Sequence, residues 1–294
     1  LPESGTTTYY YTTSGGAMCS GDSENVCRKQ DARNITITYS YDAANRLTGK
    51  TYSDSTPAVT FSYEQTSYNG LTITNGKGRR TGMSDGSGQT AWSYDAAGNL
   101  LIEKRTIAGI TKSTSYTYTL ANKVATILYP TSHTLTYSYD NADNQSSVVD
   151  SGSSINYATG VTYDPIGALA SALHGQVSGG FAGITRTYTY NTRMQQSTMV
   201  VSSSNGTVQN LTYSYDLGSG VNNGNVASIT NNLNTGRTQS FTYDYLNRLS
   251  SAQSQATSGT YCWGETYTYD RSAARSPIRT LSIIATNLAP NEEI

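Results

Sequence analysis

The sequence predicts an all-β fold: tandem hairpins joined side by side in one continuous coiled sheet, solenoid- or spiral-like. Three observations lead there. The composition is a strand-and-turn chemistry, with 25 tyrosines and 27 glycines but only 13% charged residues, three Phe and four Met in 294 residues. Aromatic and β-branched side chains pack well on a pleated surface, whereas the strong helix formers are scarce. A short motif returns along nearly the whole chain, and no segment carries the 3.6-residue apolar period of an amphipathic helix.

The motif reads apolar, Thr, Tyr, small, Tyr, Asp, two further residues, then Gly or Asn. Its clearest copies are TYSYDAANRL at 38–47, AWSYDAAGNL at 91–100, LTYSYD at 135–140 and 211–216, VTYDPIGAL at 161–169, FTYDYLNRL at 241–249 and TYTYD at 266–270. Weaker copies lie at 61–64, 116–119 and 188–191. The second tyrosine marks about ten units, at Tyr41, Tyr63, Tyr94, Tyr118, Tyr139, Tyr163, Tyr190, Tyr215, Tyr243 and Tyr269, spaced 21 to 31 residues apart. A fixed strand core with variable turns gives such a spread.

Each unit follows from side-chain geometry. In Thr38-Tyr39-Ser40-Tyr41-Asp42 the tyrosines share one face and the hydroxyls the other, because strand side chains alternate. Asp42 is placed to accept a hydrogen bond from a backbone N–H about two residues on, and the later Gly or Asn tolerates a left-handed backbone. The chain then turns, and Leu47, Leu100, Leu169 or Leu249 starts the antiparallel return strand. The structural repeat residues are thus Tyr41, Asp42, Tyr94, Asp95, Tyr139, Asp140, Tyr163, Asp164, Tyr215, Asp216, Tyr243, Asp244, Tyr269 and Asp270. One hairpin is marginal in water, so stability must come from stacked neighbours. Three segments are expected: an atypical 1–34, repeats over 35–270, and an atypical tail at 271–294. Strands at 9–13 and 280–286 would cap the two open edges of the sheet or add to a neighbouring subunit.

Cys19 and Cys27 close a short polar loop that a disulfide would staple in an oxidising compartment; the alternative is two free thiols. Cys262 is left over and is expected to be a small buried apolar group. No metal site is expected, since neither CxxC nor clustered ligands occur, and no cofactor motif is present. Asn75-Gly76-Lys77-Gly78 lacks the full phosphate-loop pattern and reads as a hairpin turn. His133 and His174 have no recognisable nucleophile beside them and read as turn residues. The turn aspartates recur with the repeat, which argues against a catalytic carboxylate pair, because such a pair occurs once. The chain is therefore expected not to be an enzyme. A net charge of −1 excludes a nucleic-acid partner of the basic-patch kind, and no apolar run is long enough to span a membrane as a helix. Sequons make Asn34, Asn144, Asn205 and Asn210 candidate glycosylation sites. With no leader at Leu1, the sequence reads as a mature product or an excerpt.

These units resemble the YD repeats of Rhs proteins, of the shell-forming components of insecticidal toxin complexes and of teneurins. The resemblance covers roughly four fifths of the chain and rests on YDxx(G/N) followed by leucine. It implies a sheet of hairpins coiling as a broad spiral, often closed around a toxin or other cargo. The Asp164-Pro165-Ile166-Gly167 segment is the one match to the DPxG context of self-cleaving Rhs regions, but it sits in phase with the repeat and reads as an ordinary turn. The expectation is a secreted or cell-surface structural scaffold assembling with itself, head to tail, into a filament. The alternative is a portion of a shell that encloses a toxin or binds carbohydrate at a surface.

Overall fold

The computed structural model describes residues 5–269 and the backbone of 278–280. Among the described residues there are 24 strands and no α-helix, with a single 3-10 turn at Thr235–Arg237. Twenty-two strands belong to one antiparallel sheet, and Ser67–Tyr68 pairs with Leu71–Thr72 as a separate small hairpin. The chain divides into two compact units, 1–136 and 137–294.

In the first unit, Thr8–Tyr10 pairs with Arg28–Gln30, which pairs with Thr36–Tyr41. The atypical N-terminal segment is therefore built into the sheet as strands, and Cys19 is bridged to Cys27 immediately before Arg28. From there each strand pairs with the next: Leu47–Tyr52, Val59–Tyr63, Arg80–Asp85, Gly88–Tyr94, Leu100–Ile107, Ile110–Tyr118 and Val124–Leu128. In the second unit the same serial pairing runs through Gln145–Asp150, Ile155–Tyr163, Leu169–Val177, Ile184–Tyr190, Gln196–Ser203, Gly206–Ser214, Ser228–Asn231, Gln239–Tyr243, Leu249–Ser254 and Gly264–Thr268, to Ile278–Thr280. Asp270 and most of the tail, including 281–286, lie outside the described residues.

The alternation has its physical consequence in burial. Along Thr36–Tyr41, Tyr39 and Tyr41 are half-buried while Thr38 and Ser40 are exposed. On the polar face, hydroxyls pair across strands: Thr117 with Thr126 at 2.7 Å, Thr189 with Thr198 at 2.6 Å, and Thr242 with Ser251 at 2.7 Å. The buried apolar residues among those described are Cys27, Ile73, Ala91, Ala172, Val201 and Ala252, mostly small. A chain of this length folded around one core would bury far larger side chains. Here stability comes from ladders between neighbours, as expected for a repeat array.

Candidate functional surface

Two devices built from the Tyr-Asp pair shape the repeat. The first is the turn. Asp42 Oδ1 accepts the backbone N–H groups of Ala44 and Arg46, both at 2.9 Å, while Asn45 takes φ 59°. The main chain closes the loop, with Asp42 N–H donating to the Arg46 carbonyl and Asn45 N–H to that of Asp42. The pairing register slips by one residue between Ser40 and Tyr41, which marks a bulge at the base of the turn. Asp140, Asp164 and Asp244 use Oδ1 in the same way on residues two and four ahead. Asp95 accepts from Asn99 at 2.8 Å, and an asparagine, Asn191, does the same work on Arg193 and Gln195. The left-handed position is filled by Gly98, Asp143, Gly167, Met194 or Asn247. Met194 shows that the turn imposes this backbone even where no glycine or asparagine eases it.

The carboxylates respond to these donors. Asp42 is held below the usual carboxylate range chiefly by the backbone N–H of Arg46. Asp95 is lowered chiefly by the Asn99 side chain. The second oxygen is clamped by the residue four ahead: Arg46 on Asp42 at 2.8 Å, Arg248 on Asp244 at 2.7 Å, Asn99 on Asp95 at 2.9 Å and Asn144 on Asp140 at 3.2 Å.

The second device links units. Nine marker tyrosines donate their hydroxyl to a backbone carbonyl 14 to 21 residues earlier. Tyr63 reaches Leu47, Tyr118 reaches Leu100, Tyr163 reaches Gln145, Tyr190 reaches Leu169, Tyr215 reaches Gln196 and Tyr269 reaches Leu249, at 2.8–3.0 Å. Each of these acceptors is the first residue of a preceding return strand. Burial pushes the phenols of Tyr41, Tyr118, Tyr190, Tyr215 and Tyr243 upward, so they remain donors at neutral pH. The turn arginine adds to the same junction, with Arg46 4.5 Å above the Tyr63 ring and Arg248 4.1 Å above that of Tyr269.

No sequence signal marks this staple, because the acceptor is a backbone carbonyl of another unit. The Asn75-Gly76 pair, expected to form a hairpin turn, joins no two paired strands. The two-residue hairpin is instead Asn69-Gly70, between Tyr68 and Leu71, with φ 48° and 65°. Two further expectations need adjusting. Cys262 is half-buried and not enclosed. His174 lies within strand Leu169–Val177, while His133 does lie in a turn.

The sequons differ in their surroundings. Asn205 is exposed at a hairpin tip and Asn34 is exposed in a left-handed turn. Asn144 holds Asp140 through its amide, and Asn210 accepts from Asn232 at 2.9 Å. Among the described residues no three His, Cys, Asp or Glu side chains gather into a metal cage, and no helix is long and apolar enough to cross a membrane.

A family model described as RHS Repeat matches residues 27–57, the stretch that holds the first complete turn and its flanking strands. One RHS repeat is thus recognised in the chain, at residues 27–57. None of the curated proteins matches the sequence. Among solved structures, the chain is similar in fold to the crystal structure of TcdB2-TccC3, at 17% identity over 91% of this chain and 15% of that one, with a TM-score of 0.67. The same complex without its hypervariable C-terminal region gives 16% identity and a TM-score of 0.66. A chain of the Tc holotoxin pore of Photorhabdus luminescens gives 17% identity and 0.65 over 91% of this chain. The chain spans about one seventh of the length of those chains.

Proposed function

We propose that this chain is a non-enzymatic structural scaffold, a secreted stretch of RHS-repeat wall of the kind that encloses a cargo. The observation that carries the reading is the series of tyrosine hydroxyls, each tying one unit to the carbonyl at the start of a preceding return strand. Nine repeats of one inter-unit bond secure a continuous surface. The fold shared with TcdB2-TccC3 supports a wall more than a free-standing fibre.

A second reading, a head-to-tail filament of identical chains, is favoured by one feature. Strand Thr8–Tyr10 pairs on one side with Arg28–Gln30 and, among the described residues, offers its other edge unpaired, with Tyr9 half exposed. Open edges accept strands. Electron microscopy of the purified chain, paired with light scattering, separates the readings. Curved or hollow discrete particles are the expected result. Filaments with a one-subunit axial repeat would replace the wall with the fibre, and a compact monomer lacking curvature would remove both.

A further inference from the structure

The loop at 216–227 departs from the other turns. It is longer, and it reaches its neighbours on both sides: Asn222 exchanges two amide hydrogen bonds with Gln195, at 2.8 and 3.1 Å, and accepts one from Arg193 at 2.7 Å on its carbonyl. Asn223 donates to the Asn247 side chain. The loop is thereby pinned between the 191–195 turn and the 244–248 turn, and a cleft opens on either side of it.

One cleft, of about 430 Å³, is lined by Tyr213, Arg193, Asn222 and Asp216 among others. Its companion, of about 400 Å³, is lined by Phe241, Asn223, Asn247 and the same Asp216. Asp216 differs from the clamped turn aspartates. Both of its turn bonds, from the N–H groups of Gly218 at 2.8 Å and Gly220 at 3.0 Å, fall on Oδ1. The residue four ahead is a glycine, so the arginine or asparagine that holds Oδ2 at Asp42, Asp95, Asp140 and Asp244 has no counterpart here. Asp216 is exposed, and among the described residues no side chain takes its second oxygen.

We propose that these paired clefts bind an uncharged polysaccharide, one sugar unit in each, with Asp216 Oδ2 accepting hydroxyls from the chain that crosses the loop. The assignment follows from the chemistry of the lining and does not depend on whether the chain forms a wall or a fibre. Sugars present hydroxyls in fixed geometry together with an apolar ring face. A carboxylate oxygen forms charge-assisted bonds with hydroxyl donors, primary amides both donate and accept, and an aromatic ring offers a flat apolar contact. Two carboxylates, Asp216 and the Arg248-paired Asp244, together with the Arg193 guanidinium give a mixed, near-neutral lining, which suits neither nucleic acid nor a strongly anionic polymer.

The test uses the intact chain in affinity electrophoresis through gels cast with a soluble β-glucan, a galactomannan or hydroxyethyl chitin, followed by calorimetry with the hexasaccharide of whichever polymer retards it. Retardation by at least one polymer is expected. Asp216→Asn should raise the Kd at least tenfold without moving the unfolding curve, since Asn191 already serves the same turn as an amide. Asp164→Asn is the control, because the Asp164 turn borders neither cleft; it should leave the Kd unchanged. Failure of every polymer to retard the chain overturns the proposal, as does a Kd that Asp216→Asn leaves within twofold.

Discussion

The hairpins around 80–107 and those around 184–215 are built from the same motif, yet they are stabilised differently. Between Tyr63 and Tyr94 the interval swells to 31 residues, and the extra length at 64–79 folds onto the sheet. Asn69 and Thr106 share hydrogen bonds of 3.0 and 3.1 Å, Lys104 donates to the Gly70 carbonyl, and Thr74 bonds both Ser93 and the Tyr94 carbonyl. Beneath it lie Thr81 and Ala91, both at 0% exposure, with Thr90, Ser93 and Ile73 also buried. Among the described residues no such cover lies across 184–215, and Val201 is the buried apolar residue of that stretch. A covered repeat acquires a small core of its own. An uncovered one depends on its tyrosine staple and on the strands beside it.

That contrast can be broken at the staple. Tyr215→Ala, in the uncovered region, should destabilise its unit by about 3 kcal/mol, the lower end of the range for losing a large aromatic side chain. The check is chemical denaturation together with hydrogen exchange at 196–215; protection unchanged there would remove the staple from the account. The cover can be broken separately. A Cβ at Gly82 would lie 2.6 Å from the Tyr68 ring, so Gly82→Ala should cost about 2 kcal/mol through overpacking. Most of that should vanish in a Tyr68→Ala background, and a double-mutant cycle reads the coupling.

Removing only the hydroxyl sharpens the comparison. Tyr215→Phe leaves the Gln196 carbonyl without its donor and should cost about 1 kcal/mol. Tyr94→Phe should cost less in global stability, because the cover ties the same strand through Thr74 and Asn75. Equal losses, measured from denaturation midpoints at constant m-value, would show that the cover does not share the load. The smallest effect is expected in acid. The folded-state pKa values of Asp42 and Asp95 are lowered, so their contribution is present above the unfolded carboxylate pKa of about 3.9 and is lost as pH falls through the folded values. Melting temperature should therefore decline below about pH 4, and less steeply in Asp95→Asn.

Much of the fold was legible because the repeat is local. Thr-Tyr-Ser-Tyr-Asp states the strand alternation, the two-sided character and the turn acceptor within five residues. Asp42, Asp140, Asp164 and Asp244 lie where that reading puts them, each accepting from residues two and four ahead. The binding clefts were not legible. Asp216 ends the same Tyr-Ser-Tyr-Asp run as Asp140, and what distinguishes it is the glycine four residues on, Ser219 in place of the motif's Gly or Asn, and the longer loop that follows. The cover at 64–79 left one trace in the sequence, the long interval, and the two Asn-Gly pairs there could not be ranked by composition alone.

The sequence by itself determined the all-β class, the period, the polarity of each strand face and the chemistry of the turns. All of these are set by steric and hydrogen-bonding preferences acting within a few residues. Tertiary structure decided which carbonyl each tyrosine hydroxyl meets, where the 64–79 segment lies down, and that the 216–227 loop holds two clefts open. Those outcomes join groups 14 to 37 residues apart, and pairing at that range depends on which strands stack beside one another, a relation no local preference specifies.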